Sequence, residues 1–446
     1  MAAICLVLMV VASLAALRYA FYRPAVFPLF LMIVGPLEFG AEADAGMNLS
    51  AIWLLMLIAC AVLALFRMPG PRVRLSGIEM LYVAFLAWAV LGAYRAPDMM
   101  FSVRMFLKLL FPFLVLLLAR RAVLSRQFPQ IRVAFKWMMV SSFIAFLCVG
   151  GFTQRFLPSI CWTASCVFWA LAAFADHAAV LGVASLISWR IFKNKWYLIY
   201  GLLAGISPVL AGIRTGVGAF FIGASIFVLT TFRRTIAIPM LLGCYVLFAA
   251  ALLFVPDIKN KMFHNAGSVD SASLLKNPGD ISLDNVNTDG RQMLWTAAMT
   301  SLFDPNPVMG SGLGATQQFM YTQTFTVIKV VHSGYVELLC DTGVVGMAMY
   351  LLVLLGIVLR CGAVLLVTTD SRIRLLCLCT LCSIPALLVC MGFDNVINYC
   401  LPAGQYPFVF AGLALGYSPS SAGIKLTAST PVVAATASRP LSLTRW

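Results

Sequence analysis

The sequence predicts an all-α polytopic membrane protein of about 12–13 transmembrane helices, on three observations. Of the 446 residues, 62% are hydrophobic and only 11% are charged. The mean hydropathy is +0.96. Apolar runs of roughly 17–20 residues recur along the chain, and each is long enough to cross a hydrocarbon layer of ~30 Å as a helix. A soluble domain carries about 25% charged residues, so that class is excluded. The net charge of +15 does not point to nucleic acid, because the basic residues sit in short clusters between apolar runs. Cytoplasmic loops of membrane proteins have this pattern, so the first partner implied is a lipid bilayer.

The spans fall at 3–19, 24–40, 48–67, 77–94, 101–119, 134–152, 176–192, 197–213, 215–232, 236–255, 334–359, 373–391 and 404–418. The first run, from Ile4 to Leu17, has no basic start and no small-residue cleavage site, so it reads as a span and not as a cleavable signal. The apolar segment between Arg155 and Ala175 reads as a re-entrant or interfacial piece. Most of the thirteen cysteines lie within apolar runs, where cysteine packs as a small hydrophobe. Cys377, Cys379 and Cys382 share one span and are read as packing residues, so no metal and no cofactor is expected.

Lysine and arginine set the orientation. One set of loops and the C-terminal tail hold 21 of the 31 basic residues, among them Arg67, Arg120, Arg121, Arg126, Arg190, Arg233, Arg360 and Arg372. That side is read as cytoplasmic. The opposite side bears the acidic turn from Glu38 to Asp44, the hairpin residue Arg214 and the long loop from Val255 to Val331. The chain therefore divides into membrane helices at 1–255, an outer loop with an amphipathic helix at 256–332, further membrane helices at 333–418, and a Ser/Thr/Ala/Pro-rich tail at 419–446. Such a tail cannot build a core and is expected to be disordered and cytoplasmic.

The outer loop is where chemistry has room. Its first half is polar with Gly and Pro, and a turn follows at Asp289-Gly290. In "RQMLWTAAMTSLF", Met293, Leu294, Ala297, Ala298 and Leu302 recur at helical spacing, which predicts an amphipathic helix on the membrane surface with Arg291 in its first turn. "DPNPVMGSGLG" forces a turn, and its glycines are wrongly framed for a nucleotide loop. Ser333 is placed to cap a short helix running through Cys340, with His332 just before it. Asp341-Thr342-Gly343 interrupts, and the next span starts at Val344. Arg214 lies in a nearly apolar hairpin, where an arginine is costly unless it snorkels or meets a partner.

Four features share this order: Arg214-Thr215-Gly216 in a hairpin, Arg291 with Trp295, Asn306-Pro307 before Gly310 to Gly314, and His332 before Asp341-Thr342-Gly343. Together they resemble the O-antigen ligase and polymerase superfamily of membrane glycosyltransferases. The likeness is clearest from about 205 to 350, with a weaker echo around residues 81–121. The chain departs from the common pattern at Ile213, Ser333 and Asp341, where members often have Ser, Asn and Glu. The resemblance implies a multi-pass protein of the bacterial inner membrane with its site on the periplasmic face. It implies a polyprenyl-diphosphate-linked oligosaccharide donor, a glycan acceptor, and attack at the anomeric carbon with inversion. A flippase and a chain-length regulator are the further partners of such a system.

That chemistry suits the residue types. Arginine binds phosphate oxygens with a planar fork that stays charged, so Arg214 and Arg291 are expected to meet the diphosphate. Histidine titrates close to working pH, so His332 is expected to activate the acceptor hydroxyl or to hold phosphate. Arg104 and Lys108, four residues apart on one helix face, are further substrate-binding candidates, with His177 near the start of a span and Tyr335 at the interface. Glu337 reads as structural. The leading expectation is a polymerase of lipid-linked repeat units, of O-antigen or of a secreted exopolysaccharide. A ligase that moves finished glycan to lipid A-core or to protein is the second reading, and a flippase for the same lipid-linked sugar is the third.

Overall fold

The computed structural model of the chain describes residues 2–37, 39, 49–69, 74–150, 153, 156–159, 167–168, 171–254, 290–322 and 330–417. Among these the regular structure is helical, apart from one isolated antiparallel bridge between Leu37 and Phe168. In chain order the helices are α1 (Ala2–Tyr22), α2 (Phe27–Val34), α3 (Leu49–Arg67), α4 (Gly77–Ala93), α5 (Met99–Leu124), α6 (Ile131–Val149), α7 (Leu171–Phe192), α8 (Lys195–Ala211), α9 (Arg214–Thr231) and α10 (Arg234–Phe254). After the long loop come α11 (Arg291–Ala298), α12 (Ala315–Thr322), α13 (Gly334–Val367), α14 (Ser371–Phe393) and α15 (Gln405–Tyr417). Seven of the described helices are long and apolar enough to cross a membrane: α1, α3, α5, α6, α9, α13 and α14. Shorter apolar helices at Pro24–Val34, Gly77–Ala93, Lys195–Ala211 and Arg234–Val246 fill in between them. The protein is an all-α, multi-pass membrane protein. Most of the 155–175 segment, the first half of the outer loop and the tail lie outside the described residues.

One expected span is not a continuous helix. At 24–40 the chain makes a 3₁₀ turn over Pro24–Val26 and then α2, whose eight residues measure only ~12 Å along the axis. Gly35-Pro36 stops α2, because proline has no N–H to continue the ladder and restricts the residue before it. Helix ends leave carbonyls without partners, and here side chains from other helices take them. Gln405 Nε2 donates to Leu31 O at 3.3 Å, Tyr406 Oη to Met32 O at 2.9 Å, and Ser141 Oγ to Ile33 O. The half-helix is thus built into the core, with Phe27, Leu31 and Met32 fully buried.

The bundle has two unlike ends, and α5 joins them. Its N-terminus is capped by Asp98, whose carboxylate accepts from Met100 N at 2.7 Å, and its last turn carries Arg121. The 26 residues between cover ~39 Å. At the basic end, Arg120 pairs with buried Glu79 at 2.5 Å, and Glu79 closes a capping box with Ser76. Arg121 donates to Met68 O at 2.9 Å, and Arg67 lies 3.6 Å from the Phe21 ring centroid. At the other end gather the α4–α5 turn, α11, α12, the start of α13 and the end of α14.

The start of α13 is bent as the sequence predicts. Ser333 caps it, accepting from Val336 N at 3.3 Å, and the helical path breaks at Gly343 (φ 68°, ψ −175°). This break is an interlock with the preceding turn. Gly310 (φ 74°) lies against the backbone of Asp341 and Gly343, and a methyl group there would sit 2.6 Å from the Asp341 carbonyl carbon. Val344 N donates to Pro307 O and Ser311 N to Cys340 O, each at 2.8 Å. Asp341 seals the joint by accepting from Gly314 N at 2.7 Å, Thr316 N at 2.9 Å and Thr316 Oγ1 at 2.6 Å. The acid-x-Gly and Gly-x-Gly motifs are therefore two halves of one fold device, with Asp341 capping α12.

Candidate active site at the end opposite the basic loops

The α11 helix sets the position of His332. It forms where expected, then widens into a π turn over Met299–Phe303. Its buried stripe, Leu294 and Ala298, covers Val331, Cys340 and Met320 of the chain itself. This corrects the expectation of a helix lying on the membrane surface: its apolar face packs on protein, although Met293 is exposed. Trp295, one turn after Arg291, donates its indole N–H to Val331 O at 2.8 Å. It thereby clamps the backbone just before His332. On the other flank, Ser333 Oγ donates to Met391 O at 3.4 Å and Gly334 N to Asp394 O at 3.1 Å. Between these clamps His332 adopts a left-handed backbone, φ 49°, which is uncommon for a residue with a side chain.

The imidazole faces a carboxylate. His332 Nδ1 lies 3.2 Å from Asp394 Oδ1, with side-chain exposures of 27% and 3% respectively. Asn395 N also donates to Asp394 Oδ1, at 2.7 Å, which fixes the carboxylate. With Nδ1–H donated to Asp394, the Nε2 lone pair is left to accept a proton. Arg291 joins the same spot: its Nη1 donates to Phe393 O at 2.7 Å, one residue from Asp394. Asp176, buried on α7, completes this neighbourhood beside Cys390, Asp394 and Arg291.

Arg214 opens α9 at the same level. Helix α9 runs antiparallel to α14, with Gly218 against Val389 and Gly223 against Cys382 and Ala386. Its first turn therefore lies level with the end of α14, and Gly216 packs on Ala175, next to Asp176. Both arginines occupy the first residue of a helix. A cation there opposes the helix dipole, and an anion at the same end relieves that conflict while meeting free backbone N–H groups.

The other sequence-chosen residues separate. His177 is fully buried inside the bundle, with Nδ1 2.5 Å from Pro402 O and Nε2 2.5 Å from Ser142 Oγ. Both ring nitrogens are used in joining α6, α7 and the turn before α15, so this position offers a structural link and not substrate contact. Tyr335 donates to Leu388 O at 2.8 Å and ties α13 to α14. Arg104 stands 5.9 Å from the Phe101 ring centroid, on the α12 side. Lys108 bonds Asn398 Oδ1, and Asn398 also accepts from Gln317 Nε2 at 2.7 Å. Asp394, Asn395 and Asn398 escaped the sequence reading. Their signal was there in "FDNVINY", an acid and three carboxamide-bearing or hydroxyl side chains in a short break between apolar runs.

Residues 198–351, about a third of the chain, match the family model described as O-antigen ligase. The match contains Arg214, Arg291, His332 and the Asp341–Gly343 interlock, and it stops before Asp394. With it, the resemblance read from the motifs is borne out over that stretch, which is similar to the O-antigen ligase family. No curated protein matches the sequence.

Proposed function

We propose that this protein is an inverting glycosyltransferase that polymerises polyprenyl-diphosphate-linked oligosaccharide repeat units at the periplasmic face of the bacterial inner membrane. The observation that carries this reading is the His332–Asp394 pair with Arg291 bonded one residue away. The acceptor hydroxyl gives its proton to His332 Nε2, and Asp394 steadies the imidazolium that forms. The hydroxyl oxygen bonds to the anomeric carbon as the bond from that carbon to the diphosphate oxygen breaks. The electron pair leaves with the polyprenyl diphosphate, whose growing charge is met by Arg291 and Arg214. Configuration at the carbon inverts. The charge that grows on the leaving diphosphate is met by guanidinium groups, so the reading calls for no metal ion.

The ligase reading is favoured by the description of the matching family. Polymerase and ligase would share the chemistry above and differ in the acceptor. The test is the size of the glycan on the polyprenyl carrier in a strain lacking this protein. Single repeat units on the carrier are the expected result. Full-length chains accumulating there would overturn polymerisation in favour of ligation.

A further inference from the structure

A second polar cluster adjoins the His332–Asp394 pair through Asn395, the residue after Asp394. Asn395 turns from the backbone of Asp394 toward Glu337, which is fully buried on α13. Lys108 lies near Glu337, and Gln317 Nε2 donates to Glu337 Oε1 at 3.2 Å. Asn398 bridges Lys108 and Gln317. The floor of the cluster is closed, since Glu337 and Asn395 are 0% and 1% exposed. Its rim is open, since Lys108, Gln317 and Asn398 are half-buried. Among the described residues the Asn395 carbonyl oxygen has no hydrogen-bond partner, and a buried polar atom left so is costly.

We infer that Lys108, Gln317, Glu337, Asn395 and Asn398 form a subsite for the terminal sugar of the acceptor glycan. The inference rests on the glycosyl-transfer reading and names what that reading leaves open. Two arguments carry it. The first is chemical. A sugar hydroxyl both donates and accepts, and three carboxamides, a carboxyl group and an amine offer both kinds of partner at close range. The second is geometric. Inversion requires the nucleophile to enter opposite the leaving group. Arg291 bonds Phe393 O and Arg214 opens α9, which packs on α14, whereas the cluster joins α5, α12 and α13 to the residues that follow Asp394. An acceptor sugar seated on the cluster would present its hydroxyl to His332 from the face opposite the arginines.

The experiment uses purified protein in nanodiscs, with polyprenyl-linked repeat units from the producing strain as substrate. The binding probes are the free repeat-unit oligosaccharide, cut from the same polysaccharide, and undecaprenyl diphosphate. Gln317→Ala and Asn398→Ala change only the half-buried rim, and Glu337→Gln keeps the shape of the floor. The expected result is a tenfold or greater rise in the Kd of the free oligosaccharide and in the acceptor KM. Undecaprenyl diphosphate binding should stay within twofold of wild type, with an unchanged thermal midpoint. Unchanged oligosaccharide binding in the two rim variants would overturn the subsite, as would a loss confined to undecaprenyl diphosphate. If wild-type protein transfers no glycan, the glycosyl-transfer reading fails by itself, and oligosaccharide binding in wild type against the rim variants still decides the subsite.

Discussion

His332 holds a left-handed backbone that costs about 1 kcal/mol for a residue with a Cβ. Three contacts keep it there: the indole of Trp295 on the residue before it, the Ser333 cap after it, and Asp394 against its ring. Strain maintained by so many contacts aims the Nε2 atom at a fixed point. Replacing His332 with Ala removes the proton acceptor and should lower transfer by on the order of 10²–10⁴-fold, measured as polymer formed from purified lipid-linked substrate. Asp394→Asn keeps the shape but loses the negative charge that would steady the imidazolium. Its rate should fall by a similar order while undecaprenyl diphosphate still binds; a near-wild-type rate would remove Asp394 from the site. Arg291→Lys keeps the charge and loses the fork, and should raise the donor KM by about tenfold or more. His332 and both arginines stood out in the sequence as candidates because each lies in a motif beside helix-breaking residues. Asp394 did not, because its meaning depends on α14 ending level with the start of α13, and no local pattern records that.

At the scale of elements, the joint between the 307–314 turn and the α13 bend decides whether the site is assembled. Asp341 accepts three hydrogen bonds there, two from backbone N–H groups. Asp341→Ala leaves those buried donors without a partner, at about 1 kcal/mol or more each, or about 3 kcal/mol in total. The variant should unfold in detergent at a clearly lower temperature, with activity falling in step. Gly343→Ala should do the same, because its backbone lies in a region open to glycine alone and any Cβ would strike Val308. Gly218→Ala is the control: an added methyl there meets Val389 at an ordinary 3.5 Å, so its unfolding temperature should hardly move. The capping by Ser333 and the break after Asp341 were legible in the sequence, since both are local. The partner of Asp341 was not, because the bond spans 25 residues to Thr316. The shortness of α2 was missed for a related reason: apolar composition marks burial, and only Gly35-Pro36 hinted that the helix stops part-way.

Across the whole molecule, charge and chemistry are separated along the membrane normal. The basic end carries Arg67, Arg120 and Arg121 in contact with Phe21, Glu79 and Met68, and the opposite end carries His332, Arg291 and Arg214. Basic loops are retained in the cytoplasm during insertion, and the proposed function accordingly has the candidate residues on the outer side. The arrangement also separates the two ways of handling a lipid-linked sugar. A transporter needs ionisable groups along a path through the bilayer, whereas an enzyme acting on a diphosphate at the interface needs them gathered at one level. Here the arginines, His332 and the polar cluster gather at one level, supported by helices that pack laterally beneath them. The orientation can be tested with two exposed loop positions. Asp304→Cys on the His332 side and Gln127→Cys on the basic side are both exposed. Cys244→Ser in the same gene removes a native thiol that is exposed on α10. A membrane-impermeant maleimide added to spheroplasts should label position 304 at once and position 127 only after the membrane is opened. The reverse pattern would put His332 in the cytoplasm, where no lipid-linked repeat unit that has already been flipped outward could reach it, and the polymerase and ligase readings would fall together.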